Sequence, residues 1–169
     1  GLFGCIGVNG IVENVGIVYN HDPNIGIGAG FQIGTIAGTS YGTIRNCYAI
    51  GIFIQGNDYI GGLVGRNNGL IINCYITGRI IGVHYLGGIA GENYGEIINC
   101  SSIMNYISGF GTCIGGLVGK NGGNIGKCSS SGYIDGGSAF GGLVGENWGI
   151  IEACYSSASV SGGVRGGGL

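Results

Sequence analysis

Leucine, isoleucine and valine stand in this chain at fixed distances from paired glycines, in apolar runs of four to six residues separated by polar corners. The clearest unit is Gly61-Gly62-Leu63-Val64-Gly65-Arg66-Asn67-Asn68-Gly69-Leu70-Ile71-Ile72-Asn73-Cys74-Tyr75, and it returns. Gly87-Gly88-Ile89-Ala90-Gly91-Glu92-Asn93-Tyr94-Gly95 runs on to Cys100, and Gly115-Gly116-Leu117-Val118-Gly119-Lys120-Asn121 to Cys128. Gly141-Gly142-Leu143-Val144-Gly145-Glu146-Asn147-Trp148-Gly149 runs on to Cys154, and a weaker copy, Gly34-Thr35-Ile36-Ala37-Gly38, leads to Cys47. The copies begin at 34, 61, 87, 115, 141 and 167. A fixed recurrence of this size marks a repeat architecture. Valine, isoleucine and tyrosine favour strands, and glycine interrupts every prospective helix. The unit is too short for a strand–helix–strand crossover, which needs about 30 residues. The pattern predicts an all-β, parallel β-solenoid of about six coils, roughly 26 residues per coil, with two or three short strands in each.

In such a coil, equivalent residues stack in register about 4.8 Å apart, so every repeat position becomes a column. Ile44, Ile71, Ile97, Ile125 and Ile151 form one, with Val12 beneath. Ile36, Leu63, Ile89, Leu117 and Leu143 form a second, and Ile33, Ile60, Leu86, Ile114 and Phe140 a third. These three are the expected core. Cys47, Cys74, Cys100, Cys128 and Cys154 share one position and are expected as a ladder of buried thiols, because cysteine acts as a compact hydrophobe in tight inward sites. Stacking would hold their Cβ atoms near 4.8 Å, outside the usual disulfide range of about 3.5–4.5 Å. Asn67, Asn93, Asn121 and Asn147 are expected as an amide ladder at a corner, where asparagine tolerates left-handed geometry. Gly65, Gly91, Gly119 and Gly145 beside them suit positive φ or close backbone approach. The next column reads Thr39, Arg66, Glu92, Lys120, Glu146, so the sign of charge alternates. As exposed pairs these contribute about 0.2–1 kcal/mol each, enough to favour one register.

Residues 1–33 are a divergent N-terminal coil or cap, with Val15 in the cysteine position and His21-Asp22-Pro23-Asn24 as a loop. Residues 34–169 are the repeats, divided as 34–60, 61–86, 87–114, 115–140 and 141–166, with the start of another at 167. Changes in repeat length fall before each glycine pair, at Gly51–Asp58 and Ser108–Cys113, which places insertions on one edge.

Composition adds constraints. Glycine is 43 of 169 residues without a Gly-X-Y triplet, which excludes collagen. With 44% hydrophobic residues the chain is not of the disordered class. Charged residues are only 8%, against about 25–35% on designed soluble surfaces, so part of the surface is expected to be covered. A net charge of −2 and no basic patch remove the electrostatic argument for nucleic acid. No run reaches the roughly 20 apolar residues of a membrane-spanning helix. The chain opens without methionine and stops inside a repeat, which reads as a mature, trimmed or partial chain. An open last coil would be a template for further strands.

Candidate chemistry is sparse. Cys5 and Cys113 lie off the ladder register, and the absence of a C-x-x-C pair argues against zinc. His21 and His84 fall in different units, outside any His-Glu-x-x-His motif. No phosphate loop occurs, and the glycines follow the repeat. Asp22, Asn24, Asn57 and Asp58 are loop residues that could contribute oxygens to calcium. Glycoside cleavage needs two facing carboxyls about 5–9.5 Å apart. Glu92 and Glu146 are separated by the coil of Lys120, which leaves Asp135 with Glu152 as the remaining pair. Asn99-Cys100-Ser101 fits a glycosylation sequon, but on a corner and in the core. Tyr41, Tyr94 and Trp148 share one position and form the one candidate binding feature. They either stack on sugar rings or a neighbouring subunit, or shield the corner backbone. No catalytic residue, cofactor or metal site is expected.

The repeated Gly-Gly-Leu-Val-Gly-x-Asn-x-Gly, the x-Ile that follows and the Asn-Cys-Tyr of Asn73-Cys74-Tyr75 resemble the GLUG repeat, best over 61–166. Lys127 and Ala153 depart from it at the asparagine position, and Ser101 and Ser129 at the tyrosine position, which interrupts a second amide ladder. The resemblance implies a secreted or cell-surface bacterial or archaeal protein, such as an adhesin-like chain or the non-catalytic part of an IgA-specific metallopeptidase. It brings no catalytic residues. The expected role is structural or adhesive, in an extracellular stalk or filament that self-associates end to end or laterally. The alternatives are a module that binds glycan or host surface through the Tyr/Trp column and, more remotely, a polysaccharide-degrading solenoid enzyme.

Overall fold

In the computed structural model, which describes residues 1–19 and 30–167, the chain winds through four parallel sheets, with no helix among the described residues. The first sheet stacks Phe3–Ile6, Ala37–Ser40, Val64–Asn67, Ala90–Asn93, Val118–Asn121 and Val144–Asn147. The second stacks Ile11–Glu13, Thr43–Arg45, Leu70–Ile72, Glu96–Ile98, Asn124–Gly126 and Ile150–Glu152. The third holds the long strands Tyr48–Gln55, Tyr75–Gly82, Ser101–Gly109 and Ser129–Gly136, between Gly16–Val18 and the pair Tyr155–Ser156 and Ser159–Gly162. The fourth runs from Phe31–Ile33 through Asp58–Gly61, His84–Gly87, Ile114–Gly115 and Ala139–Gly141 to Arg165–Gly167.

Ala37 pairs with Val64, Val64 with Ala90, Ala90 with Val118 and Val118 with Val144, so successive turns take 27, 26, 28 and 26 residues. The expected six coils are five complete turns and a sixth layer, begun at Val144–Asn147 and carried to Arg165–Gly167. Each turn has four strands where two or three were expected. Two-residue corners are sharp enough for pairing to resume at once on either side. The loop 21–24 lies outside the described residues.

The three apolar columns fill the space between the sheets. Val12 pairs with Ile44, Ile44 with Ile71, Ile71 with Ile97, and the stack continues through Ile125 to Ile151. Ile36, Leu63, Ile89 and Leu117 are fully buried, as are Ile60, Leu86 and Ile114. Each such side chain contributes about 1.5–3 kcal/mol by leaving water. The five ladder cysteines lie among them as free thiols, Cys154 less enclosed than the rest. Each Sγ donates to a carbonyl two residues back, as Cys74 does to Ile72 at 3.2 Å, and those of Cys74, Cys128 and Cys154 accept from the cysteine N–H of the preceding turn at 3.3–3.4 Å.

The corners differ from expectation. Asn67, Asn93, Asn121 and Asn147 do not take left-handed geometry. That conformation belongs to the residue before each ladder cysteine, Asn46, Asn73, Asn99, Lys127 and Ala153, and to Asn14 before Val15, with φ of 51–56°. Gln32, Tyr59, Tyr85 and Cys113 take it where the chain enters the fourth sheet, with φ of 57–61°. Nor do Gly65, Gly91, Gly119 and Gly145 have positive φ; backbone of the fourth sheet packs against them. Asn99 Nδ2 donates to Asn73 Oδ1 at 2.7 Å, and Asn73 to Asn46 at 3.1 Å, an exposed ladder that stops at Lys127. Left-handed geometry costs a residue other than glycine or asparagine about 1–2 kcal/mol. Lys127→Asn should therefore raise stability by about 1 kcal/mol and extend the ladder by one rung. Chemical denaturation would show it as a higher midpoint with an unchanged slope.

The third sheet absorbs variation in turn length. Ala49 and Ile52 face Ile76 and Gly78, so the 27-residue turn holds its extra residue in a bulge at Gly51, whose φ is 68°. Met104 and Tyr106 face Gly78 and Arg79, which leaves Asn105 as a bulge in the 28-residue turn. Only one of that turn's two extra residues falls in the Ser108–Cys113 segment, where both were expected.

Candidate functional site

Between the first and second sheets the chain turns through Tyr41-Gly42, Asn68-Gly69, Tyr94-Gly95, Gly122-Gly123 and Trp148-Gly149. From the second corner on, the residue before each pair anchors it. Asn67, Asn93 and Asn121 are wholly buried and form a continuous amide ladder, each Nδ2 donating at 2.8 Å to the Oδ1 of the next asparagine, the last being Asn147. The same Nδ2 atoms reach the corner carbonyls of Gly69, Gly95 and Gly123 at 3.1–3.2 Å. The second corner residue must be glycine: a Cβ on Gly95 would stand 2.0 Å from the Gly69 carbonyl oxygen, and one on Gly149 2.0 Å from that of Gly123.

These glycines leave a bare floor along the solenoid. Tyr41, Asn68, Tyr94 and Gly122 stand on one side, and Thr43, Leu70, Glu96 and Asn124 on the other, enclosing an open groove of about 610 Å³. Trp148 continues the column one turn on. Tyr41 and Tyr94 are 48% exposed and Trp148 75%. Their rings occur in alternate turns, and the turn between supplies space. The Tyr94 ring lies over Gly122, whose added Cβ would meet ring carbons at 2.9–3.0 Å. The Tyr94 hydroxyl points to Glu92 Oε1 at 3.4 Å.

The charged column runs beside this one and includes Cys5, which pairs with Thr39. Arg66 reaches Glu92 Oε2 through Nη2 at 2.6 Å and Nε at 2.8 Å. Glu92 is only 3% exposed, so this is not the surface pair the alternation alone suggested. A carboxylate so enclosed depends on its partner far more than a solvated one. Tyr59 and Tyr85, which the repeat reading passed over, stack in parallel at 4.7 Å against this column. Arg66 lies 5.2 Å from the Tyr59 ring centroid, and Lys120 5.9 Å from that of Tyr85. Their equal spacing in successive repeats was the available signal. One turn on, Cys113 donates to Glu146 Oε2 at 3.1 Å. Burial, then this contact, pushes the Cys113 thiol up to about 11. Hydrogen bonds from Cys113 and Trp148 hold the Glu146 carboxyl below its usual range. In the core ladder, the thiols of Cys128 and Cys74 push Cys100 up.

The remaining candidates are dispersed. His84 Nδ1 accepts from the Thr112 N–H at 2.9 Å, and the His84 N–H donates to Asp58 Oδ1 at 3.2 Å. Asn57 uses its carbonyl to accept from Val83 at 2.7 Å, while Asp22, Asn24 and His21 lie outside the described residues. No group of three or more metal-ligating side chains gathers among the described residues. Asp135, in the third sheet, accepts from Ser161 at 3.1 Å; Glu152 belongs to the second sheet. Asn99 and Cys100 sit in the exposed amide ladder and the thiol ladder respectively.

A family model described as the GLUG motif matches four spans, 56–81, 82–105, 110–135 and 136–161, together more than half of the chain. No curated protein matches it. A crystal structure of a candidate immunoglobulin A1 protease from Bacteroides ovatus is similar over 92% of this chain, with 23% identity and a TM-score of 0.63. This chain spans about half of that one, 51%. At such identity the likeness bears on the fold.

Proposed function

Because the chain belongs to the GLUG-motif family, we propose that it is a structural and adhesive segment of an extracellular surface protein, a stalk or filament, rather than an enzyme. The observation that carries this reading is the continuity of the side-chain ladders. Buried amides, thiols and apolar columns each pass from turn to turn, so the repeat's conserved spacing serves stacking. The acids support a role without catalysis: Glu13 pairs with Arg45, Glu92 with Arg66, and Glu146 accepts from Cys113.

Self-association forms part of the proposal, and the third sheet supports a lateral route. Its outer face exposes Tyr75, Ile103, Tyr133 and Tyr155, with Tyr48 stacked on Tyr75 at 5.3 Å and Tyr106 on Tyr133 at 5.6 Å. Exposed rings on a sheet face, here interleaved with Ser101, Ser129 and Ser131, can serve lateral contact. Sedimentation velocity at micromolar concentration should show species heavier than the 17.0 kDa chain, and electron micrographs ordered assemblies. Ile103→Asp with Tyr133→Asp should shift the lateral species toward monomer. A monomer at every concentration tested would remove self-association from the reading.

A further inference from the structure

The geometry points to the corner groove as a binding site for an extended, neutral, β-linked polysaccharide lying along the solenoid axis. This goes beyond the scaffold reading and does not depend on it. Parallel turns in register rise about 4.8 Å, so Tyr41, Tyr94 and Trp148, two turns apart, recur about every 9.6 Å. That is close to the length of a disaccharide in an extended β-linked chain. In such a chain every second sugar presents the same face to the same side. A row of rings at this interval therefore meets equivalent sugar faces, each with axial C–H bonds to set against a ring.

The rest of the groove fits the same class of ligand. Its glycine floor admits a broad, flat chain, and its walls offer Thr43, Glu96 and Asn124 as hydrogen-bonding groups. Asn68 lines the interval between Tyr41 and Tyr94, and its Nδ2, just beneath the surface, is one of three buried side-chain polar atoms without a partner among the described residues. The central ring is held in place: Tyr94 rests on Gly122 and its hydroxyl meets Glu92 Oε1 at 3.4 Å. Rings already fixed lose little freedom on binding. Glu96 is the only charged side chain in the lining, which disfavours an acidic polysaccharide. A peptide strand has nothing to pair with there. The floor carbonyls of Gly42, Gly69 and Gly95 already accept from Leu70, Glu96 and Asn124 at 2.8–3.0 Å.

Trp148 is the sole tryptophan, so its fluorescence reports occupancy directly. Titration with cellohexaose and mannohexaose should shift Trp148 emission, with a dissociation constant for one of them below about 1 mM. Maltohexaose, whose α-links curl the chain, and polygalacturonate should bind at least tenfold more weakly. By calorimetry Tyr94→Ala should weaken binding at least tenfold, Tyr94→Phe should retain it, and Tyr75→Ala on the third sheet should leave it unchanged. Thermal unfolding of each variant separates loss of fold from loss of binding. No binding of either neutral hexasaccharide, preference for polygalacturonate, or binding unchanged in a Tyr41→Ala, Tyr94→Ala, Trp148→Ala variant would each overturn the assignment. None of these results bears on the sedimentation behaviour that tests the scaffold reading.

Discussion

Gly91→Ala should lower the unfolding free energy by more than about 3 kcal/mol, one of the largest effects of any single methyl group in this protein. A Cβ there would lie 2.6 Å from the Tyr59 carbonyl carbon, 2.7 Å from the Ile60 nitrogen and 2.7 Å from the Tyr85 carbonyl oxygen. All three are backbone atoms of the fourth sheet, so no rotamer change relieves the clash. The first and fourth sheets must separate, and the ladder bonds on both sides resist it. Gly119 is enclosed in the same way by Cys113, Gly91 and Leu86 backbone. Gly126 is the control. Nothing lies within 4 Å of its Cβ direction, and its φ is not positive, so Gly126→Ala should stabilise by about 0.4–1 kcal/mol. Thermal unfolding of both variants tests the claim. The expected fall for Gly91→Ala is about 10 °C in a chain of this size. Equal midpoints for the two variants would mean that the sheets yield where close packing says they cannot.

Asn93→Ala should cost about 3 kcal/mol, and Asn147→Ala less than about 1 kcal/mol, although the two residues hold the same repeat position. Asn93 accepts from Asn67 and donates to Asn121, both at 2.8 Å, and its Nδ2 also reaches the Gly95 carbonyl at 3.2 Å. All of this is wholly buried, so truncation leaves a donor on Asn67 and an acceptor on Asn121 without water to replace the lost partner. Asn147 is exposed, so water can replace its Oδ1 as acceptor of the Asn121 Nδ2 bond, and that Nδ2 keeps the Gly123 carbonyl at 3.1 Å. Denaturant titration of both variants would give the difference directly. A difference below about 0.5 kcal/mol would show that the amide ladder holds each corner alone and not the stack.

The repeat spacing made much of this fold legible. A column of residues at one repeat position must stack if the chain coils, so the Ile44–Ile151, Leu63–Leu143 and Cys47–Cys154 columns, and the sheets' parallel direction, followed from spacing alone. Spacing does not tell which wall of the coil a column faces. Two asparagine columns recur equally well, and only the backbone reveals that Asn73 and Asn99 take the left-handed corner while Asn67 and Asn93 turn inward. The charged column was visible, but spacing does not show that Glu92 is buried, with Tyr94 bonded to it and Arg66 held against it between the Tyr59 and Tyr94 rings. Asn105 illustrates another limit. A bulge inside a strand leaves no turn residue to mark it, so its extra length was assigned to the nearest glycine-rich segment. The aromatic row was readable as residues. Its groove was not, because that depends on the backbone path of the glycines beside it.

From Arg66 onward acid and ring travel together, and so do base and gap; only Tyr41 comes with an uncharged residue, Thr39. Glu92 comes with Tyr94 and Glu146 with Trp148, whereas Arg66 comes with Asn68 and Lys120 with Gly122. A single turn is thus only half of what must be inherited. Loss or duplication of one turn during copying would set Glu beside Glu or Lys beside Arg, and would crowd one ring against the next where a glycine now makes room. Gain or loss of two turns restores both sequences of neighbours. In charge and ring, the unit that repeats over these turns is therefore the couple and not the single coil, so an engineered array should tolerate removal of the two turns 66–119 better than removal of either one alone.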